Sequence, residues 1–334
     1  MDRRQFIGRL LGLGGAAAAA LLGLDRLYAS GRLPAPPRFP DPASTRKTED
    51  GLSTTALNFP ELVAVKCAPG AAARADTPAR LFAAGIAALG GMARFVPKGG
   101  TVVIKPNIGW DVTPDRGANT NPLLVKAIVE ASLAAGAAKV YVFDHSCDYW
   151  KACYKSSGIE DAAKAGGAVV APAGSESYYQ RIEVKGTSAL GTLKVHELVL
   201  EADCLVNVPV LKSHGGAGMT CALKNLMGAV WDREAFHYRG LDRCIAESAL
   251  AIRPRLCVAD ASRIMLTGGP RGTGASRYAD LGMQILGADM VAVDAAAAKT
   301  FGSKAEAFPY IGMAAALGLG TTDLERLDIR RIAL

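Results

Sequence analysis

Aromatic residues make up only 6% of this 334-residue chain, and histidine occurs four times. Large rings therefore cannot fill the interior, whereas 37 glycines and many alanines suit helices packed closely on a sheet. No long Lys/Arg run and no basic helix with interleaved aromatics is present. The formal charge of +7 is spread along the chain, which favours small anionic molecules and gives no sign of a nucleic-acid partner. The seven cysteines (67, 147, 153, 204, 221, 244 and 257) contain no CxxC pair, so the spacing carries no cluster-ligating signature. No internal repeat and no second linker divides the folded part. With half of its residues hydrophobic, the chain buries a sizeable core.

The N-terminus holds the most specific pattern. Asp2-Arg3-Arg4-Gln5-Phe6-Ile7 sets a twin arginine before an aromatic and an aliphatic residue, and an apolar stretch rich in Ala and Gly follows over residues 10–24. This is the form of a twin-arginine export signal, and the stretch is shorter than the roughly 20 residues of a spanning helix. No cysteine lies near its end, which argues against a lipoprotein anchor. Tyr28-Ala29-Ser30 is a weak cleavage context, so cleavage and an uncleaved N-terminal membrane anchor both stay open. Residues 1–32 are assigned to the signal. Residues 33–56, with Pro34, Pro36, Pro37, Pro40 and Pro42, form an extended linker, and 57–334 a single composite domain. The expected location is periplasmic or otherwise exported, with the twin-arginine translocase as a partner during export. That route carries folded proteins, which directs attention to a metal or redox cofactor.

From residue 57 onward strands and helices alternate. Residues 62–66, 101–105 and 139–143 read as strands, with helices over 77–93 and 122–137 between them. Asn121-Pro122 is a cap residue followed by proline at the first helical position. Strand, helix and strand of this length predict right-handed crossovers and parallel strands. A short helix at 162–165 and a strand at 168–170 come next, then a hairpin-like pair, 181–185 with 192–199. Further on we expect a helix at 241–252, a strand at 256–260, a glycine-rich loop at 267–274, strands at 283–286 and 291–293, and a helix at 294–301 capped by Asp294. The expected class is α/β: a mostly parallel sheet with helices on both faces and a small antiparallel insertion.

The densest reactive segment is 205–230. A buried strand (Leu205, Val206, Val208, Val210) breaks at Pro209 into a polar loop with Lys212, Ser213 and His214, and a helix is expected from about Thr220. Strand, loop and helix N-terminus is where open α/β sheets bind ligands. Lys212 and Lys224 suit a carboxylate or phosphate, Asn225 can fix an oxygen, and His214 can move a proton. Lys105-Pro106-Asn107 and Asp144-His145-Ser146-Cys147-Asp148 each follow a strand at the same edge. Candidate catalytic residues are His214, Lys212 and His145, and candidate substrate-binding residues Lys105, Asn107, Lys224 and Asn225. A metal ion, if one is held, would take His145 and Asp260; a histidine flanked by acids suits either a base or a ligand. Cys147 and Cys153 can pair as a disulfide or join a cluster, Cys204 and Cys257 read as core, and an odd count leaves a thiol over.

The strings Val103-Ile104-Lys105-Pro106-Asn107, Val206-Asn207-Val208-Pro209-Val210-Leu211-Lys212-Ser213-His214, Leu223-Lys224-Asn225-Leu226-Met227-Gly228 and Val293-Asp294-Ala295 resemble the hallmark segments of the family called domain of unknown function 362, over roughly residues 60–310. Members of that family often occur with iron–sulfur domains, and the family is distantly similar to the N-terminal part of nickel-dependent lactate racemases. This chain lacks the appended ferredoxin-like cysteine runs of many relatives. Two functional readings follow. One is an exported enzyme acting on a small anionic substrate by acid–base or metal-assisted chemistry at a Lys/His/Asn pocket. The other is a non-catalytic redox or iron–sulfur-associated protein, exported folded, with a redox partner. For the cofactor, a metal ion ranks ahead of an iron–sulfur cluster.

Overall fold

The computed structural model describes residues 59–68, 70–72 and 76–334. The export signal, the proline-rich linker and the expected domain start at 57 lie outside the described residues. Phe59–Leu334 forms one compact unit.

In chain order, β1 (Leu62–Lys66) leads to α1 (Thr77–Ala88), β2 (Thr101–Pro106), α2 (Pro122–Ala134) and β3 (Lys139–Val142). Then come α3 (Trp150–Ser156), α4 (Ile159–Ala165), β4 (Val169–Val170), the hairpin β5 (Tyr179–Glu183) and β6 (Thr192–His196), and α5 (Glu197–Glu201). The central part is β7 (Cys204–Val208), β8 (Val210–His214), β9 (Gly218–Thr220), α6 (Ala222–Asn225), α7 (Phe236–Arg239) and α8 (Leu241–Ser248). The chain closes with β10 (Leu256–Met265), β11 (Tyr278–Gly287), α9 (Met290–Thr300), α10 (Pro309–Ala316) and β12 (Ile329–Ala333).

Ten strands make one sheet of order β12-β1-β11-β10-β7-β2-β3-β4, with β8 continuing alongside β10 and carrying β9. Its ladders are mostly parallel; β11 runs antiparallel to both β1 and β10. The chain moves outward from β2 through β3 to β4, then returns to place β7 on the other side of β2. The topological switch point therefore lies between β2 and β7, the position at which open α/β sheets bind ligands beyond the strands' carboxyl ends. This is the expected α/β class, with β5 and β6 as the separate antiparallel insertion.

Period-two alternation sorts the strand residues. Val102, Ile104, Val140, Val142, Val206, Val208, Leu256 and Val258 share one apolar cluster with Leu81 and Phe82 of α1, Leu124 and Ile128 of α2, and Ile159 of α4. The intervening residues, including Lys105 and Asn207, face the other side, where α9 packs on β10, β11 and α6. Helix α2 starts as expected: Asn121 accepts from the Leu123 N–H at 2.9 Å, and Pro122 needs no partner.

Several expected elements differ. Residues 291–293 are helical, because Asp289 caps α9 by accepting from Val291 N and Ala292 N at 2.8 and 2.9 Å. Asp294 is no cap for its own helix; it caps α6, accepting from Ala222 N at 2.5 Å and Leu223 N at 3.0 Å. The loop expected at Lys212–His214 is β8, which pairs with β9 across a turn at residues 215–217; Gly218, the first residue of β9, has φ 73°, a value open to glycine. The helix expected from Thr220 is a single turn, α6, followed by a 3-10 turn, Leu226–Ala229. The second strand of the insertion ends at His196, whose ring accepts from Leu198 N and starts α5. Cys147 and Cys153 are both free, the first exposed and the second buried.

Candidate functional site

Lys105 is the penultimate residue of a buried parallel strand and is fully buried itself. A buried ammonium needs a counter-charge, and Asp144 supplies it from the end of β3, 2.7 Å from Lys105 Nζ. The other Asp144 oxygen accepts from Ile108 N at 2.7 Å, and Lys105 also donates to Pro106 O at 3.1 Å. Gly228 closes over this pair: a Cβ there would sit 1.9 Å from Asp144 Oδ1 and 2.7 Å from Lys105 Nζ, so only glycine admits it.

Beside the pair runs an amide chain. Asn207 is the cross-strand neighbour of Lys105 and donates to Ala222 O at 2.8 Å. Asn225 donates to Asn207 Oδ1 at 2.8 Å and accepts from Asn107 Nδ2 at 3.0 Å. Asn107 Oδ1 accepts from Lys212 Nζ at 3.0 Å, and Lys212 also donates to Ala118 O. The edge residue Asn107 thus joins Lys212 on β8 to Asn225 on α6.

Among the described residues, Lys212 and Lys224 differ from Lys105 in having no carboxylate within ion-pair distance. Lys212, 1% exposed, meets only neutral oxygens; Lys224, 9% exposed, meets only the Met227 thioether, at 3.3 Å. Burial lowers both from 10.5, to about 7 for Lys212 and about 8 for Lys224, with Cys147 the foremost group acting the other way. Burial also lowers Lys105, against the pull of Asp144. Thr220, cross-strand neighbour of Lys212, is 3% exposed, and its hydroxyl has no hydrogen-bond partner.

The histidines separate. His214 Nδ1 accepts from Gly216 N at 3.0 Å and Ala217 N at 3.2 Å, which places its proton on Nε2. Burial, then Lys224 and Lys212, push it down to about 3, so it is a neutral donor near the two lysines. His145 stacks on Trp231 with centroids 5.0 Å apart, and its Nδ1 bonds Val230 O at 3.0 Å. Burial, then Arg233, lower its pKa. It belongs to an aromatic group with Trp231 and Tyr179. No hydrogen bond joins His145 to His214 among the described residues.

Asp260 is committed elsewhere: its carboxylate accepts from Asn121 N at 2.9 Å and Ser262 N at 3.0 Å, and burial raises its pKa. Among the described residues no three of His, Cys, Asp and Glu converge as a metal-holding group. The structure therefore gathers Lys105, Asn107, Lys212, Lys224, Asn225 and His214; His145 stacks on Trp231 within electrostatic reach of the Lys105–Asp144 pair, and Asp260 is bonded to Asn121 N and Ser262 N. Asp144, Asn207, Thr220 and Gly228 are additions to the predicted set. A lysine inside an apolar strand was the signal for Asp144, because the parallel register Ile104↔Val142 sets Lys105 beside the end of β3.

No helix among the described residues is long and apolar enough to cross a membrane. A curated relative, the thylakoid-associated protein sll1697 of Synechocystis sp., is 27% identical over 184 residues, covering 52% of this chain and 54% of the relative. The chain thus spans about half the length of that relative. Among solved structures, the lactate racemase apoprotein of Thermoanaerobacterium thermosaccharolyticum superposes with a TM-score of 0.35 at 16% identity, over 62% of this chain and 48% of that one. A Thermotoga maritima protein gives 0.34 at 13% identity, over 57% and 50%. The model of one family, described as domain of unknown function (DUF362), matches residues 102–299, more than half of the sequence, and the chain belongs to that family.

Proposed function

We propose that the protein is an enzyme that binds a small anionic substrate at the carboxyl edge of the sheet and moves a proton on it. One observation carries this reading: among the described residues, Lys212 and Lys224 are buried amines with no carboxylate within ion-pair distance, and an anion supplies what each lacks. In this reading Lys212, at about 7, is the acid–base group, since it changes protonation at neutral pH. Lys224 holds the anion, His214 donates through Nε2, and Asn107, itself held by Asn225, orients Lys212. Lys105 serves as the structural cation, neutralised by Asp144.

Acid–base chemistry is favoured over metal assistance because the donor set does not fit a metal. Asp260 spends its oxygens on backbone amides, and among the described residues no group of three His, Cys, Asp or Glu side chains converges to hold an ion. An iron–sulfur cluster does not fit either: six cysteines are buried and no three ligand residues converge among the described residues. The twin-arginine pattern supports export of the folded chain.

Calorimetric titration with malonate and inorganic phosphate tests the reading. Binding an anion raises both lysine pKa values, so at pH 8 complex formation takes up protons, seen as a dependence of the heat on buffer ionisation. Lys212→Met and Lys224→Met should each weaken binding about tenfold or more, the worth of one charge-assisted bond. Binding without proton uptake, or wild-type affinity in both variants, rejects the assignment.

A further inference from the structure

Residues 266–277 join β10 to β11 at the carboxyl edge of β10, and Gly268, Gly269, Gly272 and Gly274 fall among them. The segment is folded on itself: Leu266 N donates to Arg277 O at 2.7 Å, Gly272 N to Gly268 O at 3.1 Å and Thr273 N to Ser276 Oγ at 2.7 Å. It is a preformed strap, hinged beside the last strand pair, Met265 with Tyr278. Two fasteners tie it to its neighbours. Gly269 N donates to Ser213 Oγ at 3.0 Å, and Arg271 meets Asp148 at 3.3 Å with its guanidinium 6.0 Å from the centre of the Trp110 ring.

These fasteners stand on opposite sides of the candidate site. Ser213 follows Lys212 on β8. Asp148 N donates to Gly109 O at 3.2 Å, and a Cβ at Gly109 would lie 3.5 Å from Asn107 Oδ1, the atom that accepts from Lys212 Nζ. The contacts close a circuit: Lys212 to Asn107, Gly109 to Asp148, Asp148 to Arg271, and back along the strap from Gly269 to Ser213. The strap therefore spans the two walls that the Lys212–Asn107 bond joins at their base. Its hold is light, being one neutral hydrogen bond and an ion pair whose Arg271 side chain is 54% exposed. The fit at Ser213 is close all the same, since a Cβ on Gly269 would fall 1.9 Å from Ser213 O.

We propose that the 266–277 strap is a lid on the anion pocket, which swings about its hinge by releasing Ser213 and Asp148 and so gates the passage of ligand to and from Lys212. This rests on the anion-binding reading above. A lid that is closed most of the time slows entry and exit by the same factor, the fraction of time it stands open. Because it does not favour one ligation state, it leaves affinity unchanged.

Gly269→Ala and Ser213→Ala each unfasten the Ser213 end without altering charge. Two readouts on the full chain follow the result: trypsin cleavage after Arg271, which needs the strap open, and release of isotope-labelled malonate, read from the broadening of its NMR signal. Gly269→Ala should speed both about tenfold, the effect of forcing a methyl group into a filled contact. Ser213→Ala should speed both about threefold, the worth of one neutral hydrogen bond. Calorimetric affinity for malonate should stay at the wild-type value in each. Unchanged cleavage in both variants overturns the assignment of the fasteners, and faster cleavage with unchanged release overturns the gate. Release that quickens only in step with lost affinity also overturns it, since these residues would then be shaping the site rather than its entrance. The two readings fail separately. Absent malonate binding in wild type, with faster cleavage in Gly269→Ala, rejects the pocket while the strap still opens as described. Wild-type binding with release unchanged in both variants rejects the lid alone.

Discussion

The two faces of the central sheet solve burial in opposite ways. One face carries Val102, Ile104, Val206 and Val258 against α1, α2 and α4 in a largely apolar cluster, with Gln284 donating to Pro78 O at 2.8 Å as a polar exception. The other carries Lys105 and Asn207 under α6 and α9, with Asp144, Asn225 and Asp294 buried among them. An apolar face tolerates many residues of the right volume, since packing is its only demand. A buried polar face demands a partner for each group, because an unpaired charge costs more than its pair gains. The first face gives stability without specifying chemistry. On the second, residue identity is fixed by bonding, and two amines are left without counter-charges.

Breaking the polar face should have the largest effect. Asp144→Ala leaves Lys105 buried without its counter-ion and should cost about 3–5 kcal/mol in urea denaturation. The double replacement Lys105→Met with Asp144→Leu should recover most of that loss, since it turns the site into an apolar one. If the single and double variants are equally unstable, the ion pair is not what holds this face together.

A smaller effect, and one confined to the polar face, is a pH dependence. Lys212 and Lys224 fall from 10.5 in the unfolded chain to about 7 and about 8 in the fold. Between those values the unfolded chain binds more protons, so stability rises with pH. Their contribution is complete above 10.5 and is lost as pH falls through about 8 and then about 7. Cys204, raised from 9.0 to about 12, acts in the reverse sense once pH exceeds 9.0, which sets the upper end of the useful range. Urea midpoints should therefore climb from pH 7 toward pH 9 in wild type, and Lys212→Met should flatten the lower part of that climb. Asp294, raised by burial from 3.8 to about 7, gives the opposite slope below neutrality: stability falls as pH rises from 3.8 to about 7.

The same division explains what the sequence disclosed. The apolar face was legible because hydrophobic periodicity encodes it directly: β2, α2, β3 and the Asn121-Pro122 start of α2 stand where the pattern sets them. Lys105 and Asn107 were legible as edge residues because they close and follow β2, and Lys212, His214, Lys224 and Asn225 because they crowd into one segment after β7. What periodicity does not encode is pairing between distant polar groups. Asp294 looked like a cap for the helix it sits in, yet its acceptors face α6, 72 residues away along the chain. Val291 and Val293 looked like strand because α9 is buried nearly all round, which erases the helical period. Lys212, Ser213 and His214 looked like a polar loop because Pro209 breaks the strand before them, yet they lie in β8 and pair with β9 across a turn at residues 215–217.

The smallest change separates the faces most cleanly. Ile128 lies fully buried on α2 in the apolar cluster, on the side of the sheet away from Lys105 and Asn207. Ile128→Val removes one methylene and should cost about 0.5–1.5 kcal/mol, the transfer term plus a small cavity. Because no polar group leans on that side chain, malonate affinity and its proton uptake should stay at wild-type values. The urea midpoint should fall by the same amount at pH 7 and at pH 9. An altered pH slope in Ile128→Val would mean that packing on the apolar face sets the burial of Lys212 through the sheet, and the two faces would then have to be treated as one coupled layer.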